Sequence, residues 1–99
     1  MRIRLIREGN RPAKCGCQSA LRHWINNSGQ DGEPDCTTVQ HGAKKAFIGF
    51  EVQKIGVGDD NVYIIPVSTD YLGQCGQEVE VKDDTIFVTP DRTDNCGKI

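Results

Sequence analysis

Polar and apolar residues alternate at the start of the chain, in Arg2-Ile3-Arg4-Leu5, and this period of two predicts a strand over about residues 2–8. Gly9-Asn10-Arg11-Pro12 ends it, because glycine and proline punctuate regular structure. Leu21, Trp24 and Ile25 then follow at i, i+3 and i+4, the spacing of one helical face, so a helix is predicted over about residues 18–27. Gln18 or Ser19 falls in its first turn, and Asn26-Asn27-Ser28-Gly29 supplies a stop. Arg22, His23 and Asn26 lie off the apolar stripe and are expected to face solvent. Residues 28–36 are turn-formers and read as a loop.

The middle of the chain alternates strictly. Ala46, Ile48, Phe50 and Val52 fall on one face, with Phe47, Gly49, Glu51 and Gln53 on the other, which predicts a half-buried strand over residues 46–54. Gly56 to Asn61 form a turn, and residues 62–67 return as the partner strand. Pro66 has no amide proton for a ladder, so this strand must stop there or lie at an edge. A third hairpin is expected from residues 77–81 and 85–89, joined by Lys82-Asp83-Asp84. The tail from Asp91 shows no periodicity. One main helix with about five short antiparallel strands, no repeat and no linker, makes residues 1–99 a single small α+β domain.

Composition sharpens this picture in two places. Eleven glycines and four prolines in 99 residues agree with many turns around a modest core. No apolar run reaches the roughly 18 residues that span a bilayer, and the first residues lack a secretory signal, so the expectation is a soluble cytoplasmic protein without membrane contact. The net charge of −2 hides an asymmetry: Arg2, Arg4, Arg7, Arg11, Lys14 and Arg22 precede residue 25, against the single acid Glu8. Such cations either pair with acids elsewhere in the chain or form a patch for nucleic acid or an acidic protein. The binding residues of such a patch would be Arg2, Arg4, Arg22, His23, Lys44 and Lys45. The first reading is preferred, because nucleic-acid domains are usually basic overall.

Five cysteines are many for this length, and an odd number without a signal peptide argues against a disulfide framework. Cys15 and Cys17 form a C-x-C, read as packing thiols at the helix entry with Cys96 in the tail, the alternatives being a second metal quartet with Cys75 and Cys96 or a redox pair. Cys36 and His41 form a C-x4-H pair, which is half of a tetrahedral zinc site. A rearranged loop would deliver Cys75 as a third ligand, with Asp70 as the fourth. The preferred reading is a buried reduced Cys36 and a loop His41 with no cofactor, zinc being the alternative. Gly56 and Gly58 belong to the hairpin turn rather than to a nucleotide loop, since no helix and no lysine follow.

The combination of C-x-C-x-S-x-L-x-H-W (Cys15 to Trp24), the Cys36 knuckle, G-x-x-V-Q-K (Gly49 to Lys54), Y-I-I-P-V (Tyr63 to Val67) and N-C-G-K (Asn95 to Lys98) resembles small bacterial HNH-like, treble-clef zinc-finger proteins. The resemblance runs over about residues 14–98 and implies a treble-clef style of fold. It also implies a histidine at the position of Glu51 and a C-x2-C-N on Ser68, Tyr71 and Leu72, all replaced here. An HNH nuclease needs an imidazole to deprotonate water and ligands to hold a divalent cation. Leu72 can supply neither, and Glu51 is the one weak catalytic candidate. The resemblance therefore implies a degenerate member, an accessory protein of bacteria or their mobile elements. Its expected role is a non-catalytic binding module for a protein or nucleic acid, with homo-oligomerisation as a way to cover its strand faces. The alternatives are a diverged metal-dependent nuclease and a structural zinc or thiol protein.

Overall fold

The computed structural model describes residues 1–9, 19–30, 32–42 and 44–91. Four strands, β1 (Arg2–Glu8), β2 (Ile48–Lys54), β3 (Tyr63–Val67) and β4 (Glu78–Glu80), form one antiparallel sheet in the order β3-β2-β1-β4. One helix, α1 (Ala20–Ser28), packs on β2 and β3. The α+β class, and the one α-helix among the described residues, are as the periodicity predicts. So is the placement of the proline-bearing strand, since β3 occupies an edge.

Local chemistry explains the helix. Ser19 is extended and its hydroxyl accepts the Arg22 amide at 3.1 Å, satisfying one of the free amides of the first turn. Gly29 closes the helix in the left-handed region at φ 82°, where a Cβ would be strained. The predicted first-turn position of Gln18 lies outside the described residues.

The sheet separates two cores. On one face Ile3, Leu5, Phe50, Val52, Ile65 and Val67 form a cluster with Tyr71, Val79 and Val81. On the other, Ala20 and Trp24 of α1 meet Ile64 and Val88. Thus β2 is buried on both faces over Gly49–Val52, a correction to the half-buried strand expected from its alternation. Gly49 is the reason. A Cβ there would stand 2.7 Å from the Leu21 nitrogen and 2.8 Å from the Ala20 carbonyl carbon, so the bare glycine lets α1 lie directly on the strand.

The expected third hairpin does not form. Glu78–Glu80 joins the free side of β1, with Arg2 opposite Glu80, Ile3 opposite Val79 and Arg4 opposite Glu78. This pairing sets opposite charges and apolar groups against each other on the correct faces. Residues 85–89 make one bridge, Ile64 to Val88, and their apolar side chains go to the helix side, where the Trp24 indole donates to the Ile86 carbonyl at 2.7 Å. The described residues therefore hold four strands in the sheet instead of about five.

A register shift between Leu5 and Arg7 inserts a bulge in β1. Without it Arg7 would share the apolar face of Ile3 and Leu5. The extra residue turns it to the opposite face, across from Glu51.

Candidate functional site

Two short 3₁₀ turns carry the residues that the zinc-finger resemblance singles out: Val39–His41, after the Cys36 end of the knuckle, and Thr69–Tyr71, just past β3. The Thr37 amide and hydroxyl both donate to the Pro66 carbonyl, at 3.1 and 2.8 Å, which fastens the knuckle to the end of β3. The proline therefore matters through its carbonyl as well as its missing amide. Lys82 ties the other side by donating to the carbonyls of Cys36, at 2.9 Å, and Gly42.

Within this frame His41 is fully engaged. Its Nδ1 lies 2.8 Å from the Thr38 hydroxyl and its Nε2 lies 3.3 Å from a carboxylate oxygen of Asp70. The Tyr71 ring packs edge-on against the imidazole, with centroids 5.2 Å apart. The run from threonine through histidine to aspartate has the connectivity of a nucleophile, base and orienting acid. Thr38, however, is completely buried, whereas Asp70 is on the surface. A nucleophile without access to substrate does no chemistry, so the network braces the two turns. Asp70 is held below the usual carboxylate range by the hydrogen bond from His41, then by the Lys44 ammonium and the Ser68 hydroxyl.

Cys36 is buried, its thiol donates to the Lys45 carbonyl at 3.5 Å, and desolvation pushes its pKa up, which favours the protonated form. Cys75 is an exposed free thiol. Among the described residues no three His, Cys, Asp or Glu side chains gather at a spacing suited to a metal ion. The structure thus brings His41 to Asp70 but builds no ligand set from Cys36, His41, Cys75 and Asp70. Cys15, Cys17 and Cys96 lie outside the described residues.

Glu51 stands on the helix side of the sheet, 9% exposed. Its two oxygens meet the Arg7 guanidinium at 2.9 and 3.3 Å, a bidentate pair made by the β1 bulge. Of the other positions where the resemblance implies ligands, Ser68 caps the second 3₁₀ turn by accepting the Asp70 amide. Tyr71 lies in the larger core and Leu72 faces solvent.

The expected binding residues are dispersed. Arg2 and Arg4 on β1 share Glu78, at 3.8 and 3.4 Å; Lys44 meets Asp70 at 3.7 Å and Lys45 meets Asp35 at 3.0 Å. Arg22 is exposed on α1. His23 requires correction: it is fully buried, with Nε2 3.0 Å from the Thr89 carbonyl, and the Asn27 side-chain amide donates to the His23 carbonyl. The helix is covered on a wider arc than its Leu21-Trp24-Ile25 stripe suggests, because the segment after β4 folds back over it.

Sequence reasoning missed Thr38 and the role of Asp70. A threonine three residues before a histidine, entering a tight turn, is the local signal that was available. Comparison with family models, with curated proteins and with solved structures finds no match to this chain.

Proposed function

We propose that this chain is a non-catalytic binding module that works through contact with a protein partner. The observation that carries this reading is the Arg7–Glu51 pair. The carboxylate at the position where HNH-like proteins would place a histidine is buried, and both of its oxygens are engaged by a guanidinium. A general base needs a free lone pair within reach of the water it deprotonates, and a magnesium ligand needs that same oxygen. The guanidinium takes one lone pair on each Glu51 oxygen, and burial of the side chain leaves little room for a water or an ion to reach the others.

The scaffold reading remains part of this proposal: a degenerate HNH-like, treble-clef-style protein of bacteria or their mobile elements, acting in the cytoplasm. It takes no cofactor, since zinc at Cys36 and His41 would have to displace the Lys45 and Thr38 contacts. Protein is favoured over nucleic acid because Arg2, Arg4, Lys44 and Lys45 already face carboxylates. A phosphate would have to compete with each, and the net charge of −2 gives no long-range attraction for it.

The test is incubation of the purified protein with plasmid DNA and Mg²⁺ or Mn²⁺. The DNA is expected to stay intact. Cleavage that disappears in Glu51→Ala would overturn the reading in favour of a diverged nuclease.

A further inference from the structure

The open side of β4 borders a groove whose wall is a continuous run of edge strand. Ladder bonds flank the Ile3–Val79 pair in phase, from the Leu5 amide to the Gln77 carbonyl at 2.9 Å and from the Val81 amide to the Met1 carbonyl at 2.8 Å. Antiparallel pairing alternates, so Val79 turns its backbone groups toward β1 while Glu78 and Glu80 turn theirs outward. Among the described residues no hydrogen bond reaches the outward amides of Glu78 and Glu80. Just beyond, the Thr38–Val81 bridge closes the edge.

A groove of about 360 Å³ runs along this open stretch, lined by Gln77 through Glu80, by Val39, Gln40 and Tyr71, and by Arg2, whose guanidinium already pairs with Glu78. Val39 is 54% exposed, an apolar side chain standing free at its rim. Backbone donors along one wall and an apolar contact along the other are the elements of strand addition.

We propose that β4 docks an extended segment of a partner protein in which basic and apolar residues alternate; this rests on the binding-module reading and specifies its site. The template is the strand that β4 already binds. On its inner side β4 sets Glu78 and Glu80 among Arg2 and Arg4, and Val79 against Ile3. Side chains of a strand flank both of its neighbours, so an incoming strand on the outer side meets the same two carboxylates on one face and the exposed Val39 on the other, where Val79 is already largely covered by the core. Glu78 shares its charge with two arginines and Glu80 meets the Met1 amino group, while Asp83 beside them is fully exposed. A second copy of this chain fits poorly: antiparallel β4 against β4 about Val79 would set Glu78 opposite Glu80, and like charges directly opposed are destabilising. An incoming arginine would lie on the far side of Glu78 and Glu80 from β1, adding to the existing pairs rather than displacing them, so the carboxylates that discourage self-pairing favour a basic partner.

The experiment titrates a short capped peptide of alternating arginine and valine into the full chain, read by backbone NMR. The expected result is shifted signals at Val39 and Gln77 through Glu80, with slowed exchange of the Glu78 and Glu80 amides. Glu78→Gln with Glu80→Gln should weaken binding about three- to tenfold. Peptide N-methylated on the alternate residues that face β4 should lose binding, a control that leaves the protein untouched. Glu80→Pro should also lose it while keeping the β1 ladder, because that amide points outward. No binding, equal binding of a glutamate–valine peptide, or shifts confined to another surface would each overturn the edge site. So would a dimer of the free chain held through β4. These failures leave the binding-module reading standing; that reading falls to DNA cleavage instead.

Discussion

At the scale of single residues, the side chains with chemical potential have partners that define what they do. Glu51 and Arg7 meet because one bulge reverses the direction of Arg7, and His41 is held between Thr38 and Asp70. The His41–Asp70 contact has a consequence for pH. The Asp70 carboxyl titrates below its ordinary value of 3.8 in the fold. A lowered pKa means that the folded state binds this proton less readily than the unfolded chain. Its contribution is therefore complete above 3.8 and is lost as pH falls through the lower folded value. Asp59, held down by the Tyr63 hydroxyl, acts in the same direction. Thermal melts of wild type and Asp70→Asn should converge toward acid and separate above about pH 5, with wild type the more stable. A constant gap across that range would show that Asp70 carries no proton-linked stability.

At the scale of elements, contact between α1 and β2 depends on the absence of a side chain. The Gly49 Cβ position is blocked by helix backbone, which cannot swing aside as a flexible side chain can. Gly49→Ala should cost about 1–3 kcal/mol through displacement of the helix. Chemical denaturation would measure the loss, and near-ultraviolet dichroism would show Trp24 moving from its site against Ile86. An alanine as stable as wild type would mean that α1 shifts freely on the sheet. The failure of the third hairpin belongs to this scale too. Two adjacent alternating segments joined by a short polar turn satisfy every local rule for pairing, yet each finds a better neighbour. For Glu78–Glu80 it is the arginine-bearing β1, and for residues 85–89 it is the surface of Trp24 and Ile64.

At the scale of the molecule, a single sheet lies between two cores, and β3 contributes to both, with Ile65 and Val67 on one side and Ile64 on the other. Both faces of β2 are covered within one chain over Gly49–Val52. The shared strand also couples the cores, so they should unfold together. Ile65→Val in the larger core should lower stability by about 1 kcal/mol. Trp24 fluorescence, which reports the smaller core, should shift its midpoint by the same amount as far-ultraviolet dichroism. Separate midpoints for the two probes would show two independent units.

Much of this architecture follows from the sequence alone because it depends on neighbours within a few residues. The strand at Arg2–Glu8, the helix with its Ser19 and Gly29 ends, and the β2–β3 hairpin all arise from short-range periodicity and capping. Glu51 and the Cys36–His41 pair could likewise be picked out by residue type and spacing. Their partners could not, because Arg7 lies 44 residues from Glu51 and Asp70 lies 29 from His41. Only the folded sheet decides that His23 is buried, that Gly49 faces a helix, and that β4 closes on β1 while leaving its outer edge open. Periodicity states which residues of a segment share a face, whereas burial depends on what is brought against that face from elsewhere in the chain.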